Sequence, residues 1–204
     1  MEFSEINCIF LGVAKCASEG IHATLIKSLG KDRCHNHDTW QDVLRRHNDV
    51  ENQRVFMVVR EPVQRFYSAL TYLQYQPQWS GLTIANVLKI CHNRNNLQTA
   101  EDLAGLDVVF HPQSKWCAGP SGNKETTVEI VPFESLPEFW KRFQAETKAG
   151  YGIEICDLLL QNSTPAERKL QVARPTREEA EEIRKIYADD VKLYNDAVRK
   201  FSEK

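Results

Sequence analysis

The stretch VFMVVREPVQRFYSAL, residues 55–70, decides the fold. Its first five residues are apolar without polar alternation, the pattern of a strand covered on both faces. Arg60 follows at once, and Glu61-Pro62 opens a helix whose Val63, Phe66, Tyr67, Leu70 and Leu73 recur at helical spacing. Proline belongs in a first helical turn, where its missing N–H costs nothing. A buried strand that turns straight into an amphipathic helix is one unit of an α/β sheet, and the helix's apolar face is expected to pack on that sheet. Core building does not account for Arg60, nor for Gln64, Arg65 and Ser68, which the helical period places on one face.

Outward from this unit the chain keeps alternating. Residues 6–12 form a second continuous apolar run, followed by a polar loop, a short helix over 22–29 and another from a Thr39 cap through Arg46. A helix is expected around 83–92, then the loop-rich segment FHPQSKWCAGPSGN, a third strand over 126–131 and a helix from Ser135 to about Lys148. Thr176 with Glu179 three residues later is a capping box, and Ile183, Tyr187, Val191, Tyr194, Val198 and Phe201 make the stripe of one long closing helix. Strands alternating with helices predict an α/β fold with a central, mainly parallel sheet flanked by helices. With 204 residues, 42% of them hydrophobic, a single domain over 1–204 is expected.

Composition narrows the function. A net charge of -2 argues against a generally basic nucleic-acid binder, so any anion site must come from local placement of Lys and Arg. Glu2 and Glu5 precede the first apolar run where a signal peptide would be basic, and no run is long enough for a membrane span. Cys8, Cys16, Cys34, Cys91, Cys117 and Cys156 are scattered without a CxxC, fitting free thiols in a reducing cytoplasm better than a zinc site or a disulfide scaffold. The expectation is a cytoplasmic protein with neither nucleic acid nor membrane as partner and with no metal; its oligomeric state is open.

In parallel sheets, ligands collect beyond the carboxyl ends of the strands, where helix N-termini present unpaired N–H groups. Two junctions have that character. The first, GVAKCASEGIHATL at 12–25, sets Lys15 past a buried strand and follows it with Cys16, Ala17, Ser18, Glu19 and Gly20, mostly small residues around which a backbone can curl on a phosphate. It is not a Walker A loop, and taken alone Lys15 reads better as a solvated loop lysine than as a phosphate ligand. The second is Arg60 to Ser68, where an arginine at a strand end can pair bidentately with a phosphate.

Together the junctions resemble the sulfotransferase superfamily, which uses 3'-phosphoadenosine 5'-phosphosulfate (PAPS). Residues 15–20 stand where that family carries PKT[AG]S[TS]S, and REPVQRFYS at 60–68 follows its RDPxxRxxS with Glu for Asp. VEIVPFESL at 128–136, Asn162-Ser163, and Tyr187, Asp190 and Tyr194 in a YxxDxxxY pattern are similar to later segments of the carbohydrate-type branch. The resemblance implies a P-loop-like sulfotransferase fold in which Lys15, Cys16, Ala17, Ser18, Glu19 and Gly20 hold the 5'-phosphosulfate while Arg60 and Ser68 hold the 3'-phosphate. Glu19 departs from the family's Ser or Thr; either its side chain points outward or it weakens binding by repulsion.

The implied chemistry is in-line sulfuryl transfer from PAPS to a hydroxyl of a small molecule or glycan, with Lys15 stabilising the bridging oxygen. The acceptor needs a base. His35 and His37 form an HxH resembling that of uronyl 2-O-sulfotransferases, which implies His37 as base with His35 assisting; an ordinary histidine titrates near pH ~6.5. Two other classes remain: a nucleotide or small-molecule kinase on a related scaffold, and a nucleotide-binding protein without turnover, for which Glu19 is the best support.

Overall fold

The computed structural model describes residues 2–30, 38–46, 50, 52–92, 106–118, 128–159 and 172–203. Among them, four strands lie in sequence order across one sheet: β1 (Glu2–Phe3), β2 (Cys8–Leu11), β3 (Arg54–Val59) and β4 (Glu129–Pro132). The helices are α1 (Ser18–Leu29), α2 (Trp40–Arg46), α3 (Pro62–Leu73), α4 (Ile84–His92), α5 (Leu106–Phe110), α6 (Ser114–Cys117), α7 (Leu136–Tyr151), α8 (Arg177–Ile186) and α9 (Ala188–Ser202).

The chain is α/β, and its sheet is mixed. β2, β3 and β4 run parallel, with Ile9 opposite Val55 and Met57 opposite Ile130, whereas β1 pairs antiparallel with β2. The short turn at Ser4–Ile6, closed by Asn7 in the left-handed region (φ 49°), returns the chain directly and so permits only antiparallel pairing. β3 is central, and its side chains from Val55 to Val59 are all buried, as the unbroken apolar run predicts. Pro132 closes edge strand β4, where a missing N–H takes nothing from the ladder.

Phe56 centres the main core. Its ring lies 4.9 Å from Phe10, 5.1 Å from Phe139 and 5.5 Å from Phe143, tying β2 and α7 to the central strand. Ile21 and Leu25 of α1 and Trp40 and Val43 of α2 join the same cluster. At the amino ends of the strands, Glu129 accepts from both Arg54 and Arg142, and Arg54 also reaches Glu146 at 2.6 Å.

Three expectations are corrected. The apolar stripe of α3 does not lie on the sheet: Val63, Phe66, Leu70 and Leu73 form a second core with α4, α5 and α8, Phe66 meeting Phe110 at 5.1 Å. The short helix over 22–29 starts four residues earlier, so Ser18, Glu19 and Gly20 are its first turn rather than loop. The single closing helix is two, broken at Tyr187 (ψ 37°), because its halves serve different cores: Ile183 and Tyr187 belong to the second, while Ala197 and Leu193 face the first. The Tyr187 hydroxyl fixes the break by donating to the Phe110 carbonyl at 2.7 Å.

The loop-rich segment at 110–123 contains the one-turn helix α6, β4 covers 129–132 where the sequence predicts a strand over 126–131, with 126 and 127 outside the described residues, and α7 runs on past Lys148 to Tyr151. Thr83 and Asn86 exchange hydrogen bonds at the start of α4, the Thr176–Glu179 capping box forms, and Gly152 ends α7 in the left-handed conformation (φ 70°). No helix among the described residues is long and apolar enough to cross a membrane.

Phe56→Ala should cost about 3–5 kcal/mol, the scale for truncating a fully buried phenylalanine. Urea denaturation measures it, and a loss well below that range would mean that β3 is not the packing centre.

Candidate functional site

β2 and β3 are parallel neighbours, so both chain exits emerge at one edge of the sheet. Beyond β2, Lys15 (φ 65°) and Ala17 (φ 60°) both take the left-handed conformation without being glycine. Each such residue costs roughly 1–3 kcal/mol and persists only where its surroundings enforce it. Alternation of this kind turns successive N–H groups to one side, the geometry of an anion-binding concavity. Ala17 is also the N-cap of α1, and its methyl group cannot accept from the first-turn N–H groups of that helix, which carries no side-chain cap. The positive end of α1 is thus left to the loop itself.

Arg65 does part of the enforcing. It reads as a surface charge beside Gln64 and Ser68, but the structure separates the three: Gln64 is exposed, Ser68 half-buried and Arg65 only 3% exposed. Its Nε donates to the Ala14 carbonyl at 3.0 Å, holding the loop just before Lys15, while its Nη2 is buried with no hydrogen-bond partner. Lys15 Nζ lies 3.7 Å from the centroid of the Tyr72 ring. Residues 65, 68 and 72 form one stripe of α3, and since the first and last of them touch the β2–α1 loop, Ser68 stands between those two contacts.

Beyond β3, the Arg60 guanidinium stacks 4.7 Å from the Phe133 centroid, an arrangement that uses its plane and not its N–H donors. Glu61 caps α3 by accepting from the Gln64 N–H at 2.9 Å and also pairs with Arg184 at 3.3 Å.

Electrostatics follow from the crowding of cations. Burial holds the Lys15 ammonium below the ordinary lysine range; Arg60 pushes the same way and Glu19 opposes. Burial likewise lifts the Cys16 thiol to about 11 against the pull of Arg65 and Arg60, so Cys16 stays a thiol and donates to Gln113 Oε1 at 3.2 Å. Glu19 is exposed, whereas Ser18 and Gly20 are buried, and the Glu19 carboxylate acts on the Lys15 ammonium by raising its pKa.

Gln113 is the residue sequence reasoning missed, and Asp190 is marked only by its place in the YxxDxxxY pattern. Fully buried Gln113 accepts from the Arg60 N–H at 2.8 Å and donates through Nε2 to the Arg60 carbonyl at 2.8 Å. Asp190, 1% exposed, accepts from the backbone N–H groups of Gln113 at 2.7 Å and Ser114 at 2.8 Å. The only sequence signal was the YxxDxxxY pattern, and its members act separately: Tyr187 on Phe110, Asp190 on Gln113, Tyr194 on Glu134 at 2.9 Å. Burial, helped by Glu134, raises the Tyr194 hydroxyl to about 12.

Lys15, Cys16, Ala17, Ser18, Glu19, Gly20, Arg60 and Ser68 thus come to one edge of the sheet. His35, His37 and the Asn162-Ser163 segment lie outside the described residues. Among the described residues no three His, Cys, Asp or Glu side chains converge as a metal set. Comparison with protein-family models, curated proteins and solved structures finds no match to this chain.

An anion held by Lys15 needs its ammonium charged. Affinity for a phosphate-bearing anion, with pyrophosphate as the probe, should therefore fall as pH rises through the depressed Lys15 pKa, at lower pH than an ordinary lysine near ~10.4 would require. Lys15→Arg, which cannot lose its proton, should flatten that limb. Titration calorimetry across the alkaline range measures both, and identical profiles would remove Lys15 from the site.

Proposed function

We propose that this chain is a PAPS-dependent sulfotransferase of the carbohydrate type, built on a P-loop-like sulfotransferase fold, that transfers a sulfuryl group to a hydroxyl acceptor. The observation that carries it is the convergence of two cationic junctions at neighbouring parallel strand ends, one strained and uncapped around Lys15, the other formed by Arg60 with Ser68 on the adjoining helix. A ligand with phosphate groups at two separated positions fits that pair. The buried, unpartnered Nη2 of Arg65 beside the loop is a cationic donor of the kind that suits an anion.

PAPS supplies the activated sulfuryl group. The chain's own part is positioning and charge: the α1 N-terminus and Lys15 take the phosphosulfate end, while Arg60 and Ser68 take the 3'-phosphate. The acceptor oxygen forms its bond to sulfur as the bond from sulfur to the bridging oxygen breaks, leaving 3',5'-ADP. Lys15 stabilises the negative charge that collects on that bridging oxygen, and the acceptor proton passes to a base, assigned by resemblance to His37 with His35 assisting. Free thiols at Cys8, Cys16, Cys91, Cys117 and Cys156 fit a cytoplasmic setting.

3',5'-ADP should raise the melting temperature well above the shift given by equal 5'-AMP, since a ligand bound only by the folded state stabilises it in proportion to RT ln(1 + [L]/Kd). Arg60→Ala should cost about 1.5–3 kcal/mol of that binding, and Ser68→Ala less. Equal shifts from the two nucleotides would sink the 3'-phosphate assignment.

His37→Ala should leave 3',5'-ADP affinity intact and lower transfer of labelled sulfate from PAPS by roughly 10²–10⁴-fold. Transfer from ATP instead of PAPS would make the chain a kinase, and tight nucleotide binding with no transfer to sugar, phenol or peptide hydroxyls would make it a binding protein.

A further inference from the structure

We infer that Gln113 is a positioning residue that sets the spacing between the two anion subsites; the inference rests on the two-junction reading above. Gln113 enters from the corner between α5 and α6, far in sequence from both junctions, yet its carboxamide touches both. Oε1 accepts the Arg60 N–H and the Cys16 S–H, and Nε2 donates to the Arg60 carbonyl. One planar amide thereby clamps the backbone of Arg60 on both sides and ties it to the residue that follows Lys15.

The clamp is itself anchored. Asp190, near the start of α9, accepts from the backbone N–H groups of Gln113 and Ser114, so the backbone that carries the carboxamide is held by two bonds in a buried place. α9 packs against β4, so the anchor belongs to the sheet and not to a surface loop. None of these atoms reaches outward as a ligand contact would; Gln113 is fully buried. Its effect on an anion passes through Arg60 and the Lys15 loop.

This arrangement makes a distinct demand on a two-phosphate ligand. A mononucleotide held only at the Lys15 loop and the α1 N-terminus needs no fixed distance to Arg60. A ligand bearing a second phosphate gains from Arg60 only if that residue is held in register with the loop, because a second contact counts fully only when its geometry is set in advance. Loss of the clamp should therefore erode discrimination between 3',5'-ADP and 5'-AMP, and not binding in general.

Calorimetric titration of 3',5'-ADP and 5'-AMP into the wild-type chain, Gln113→Met and Gln113→Glu tests this. Methionine keeps the volume without the polar ends, whereas glutamate keeps both acceptor contacts and loses the Nε2 donor. Gln113→Met should lower the 3',5'-ADP over 5'-AMP preference by roughly tenfold or more with 5'-AMP affinity nearly unchanged, and Gln113→Glu should restore part of it. Exchange of the Arg60 amide hydrogen in the ligand-free protein should quicken in Gln113→Met and less in Gln113→Glu; this needs only the native state and gives a readout even for a weakened variant.

An unchanged preference in Gln113→Met overturns the inference, as does an equal fall in both affinities with a lower melting temperature, which is the mark of a merely structural role. Failure of the underlying reading looks different, since the wild-type chain itself would then show no preference for 3',5'-ADP. An unfolded Gln113→Met leaves Gln113→Leu to decide, an apolar replacement that adds no charge beside the subsites: preserved preference with a slow Arg60 amide overturns the clamp, and a reduced preference with a faster amide and intact 5'-AMP affinity supports it.

Discussion

The parallel pairing of β2 with β3 is the constraint on which the rest of the molecule depends. It sends two chain segments out of the sheet on the same side, separated by one strand spacing, about 4.8 Å. Two short apolar runs therefore place Lys15 and Arg60, 45 positions apart in the sequence, at one edge. An antiparallel pairing of the same strands would have put the two cations at opposite ends of the sheet. The aromatic contacts of Phe56 with Phe10 and Phe139 fasten that pairing from below.

At this edge the fold accepts several unfavourable terms together. Lys15 and Ala17 sit in the left-handed region, α1 begins without a side-chain cap, and a guanidinium is buried with part of its donor set unused. Burial lowers the Lys15 pKa, and Arg60 adds to that in the same direction. Local conflicts of this sort gather at functional sites, where the surrounding structure over-determines them. Here the surroundings are identifiable: Arg65 holds Ala14, Gln113 holds Arg60, and Asp190 holds Gln113.

The second helical core explains how α3 can serve two purposes. Its Val63, Phe66, Leu70 and Leu73 pack on α5 and α8, which frees Arg65, Ser68 and Tyr72 to lie along the β2–α1 loop. Had the apolar stripe packed on the sheet, these residues would have faced elsewhere. The helix break at Tyr187 belongs to the same solution, because α8 must close the second core while α9 returns to the first and delivers Asp190.

By itself the sequence determined the parts governed by local chemistry. Unbroken apolar runs marked β2 and β3, Pro62 and the Thr176–Glu179 box marked helix starts, and Arg60 and Lys15 stood out as charges that core building could not explain. It did not reveal that Arg65 is buried, that α1 begins at Ser18, that α3 turns its apolar face from the sheet, or that the closing helix breaks. Each of these depends on a partner distant in the chain: the Ala14 carbonyl for Arg65, the Phe110 carbonyl for Tyr187. Gln113 is the clearest case, a polar residue in an irregular segment with neither periodicity nor motif to mark it. Only the tertiary structure could decide its role, because a hydrogen-bonding group acquires meaning from the atoms brought within bonding distance of it, and those come from the end of β3, the β2–α1 loop and α9.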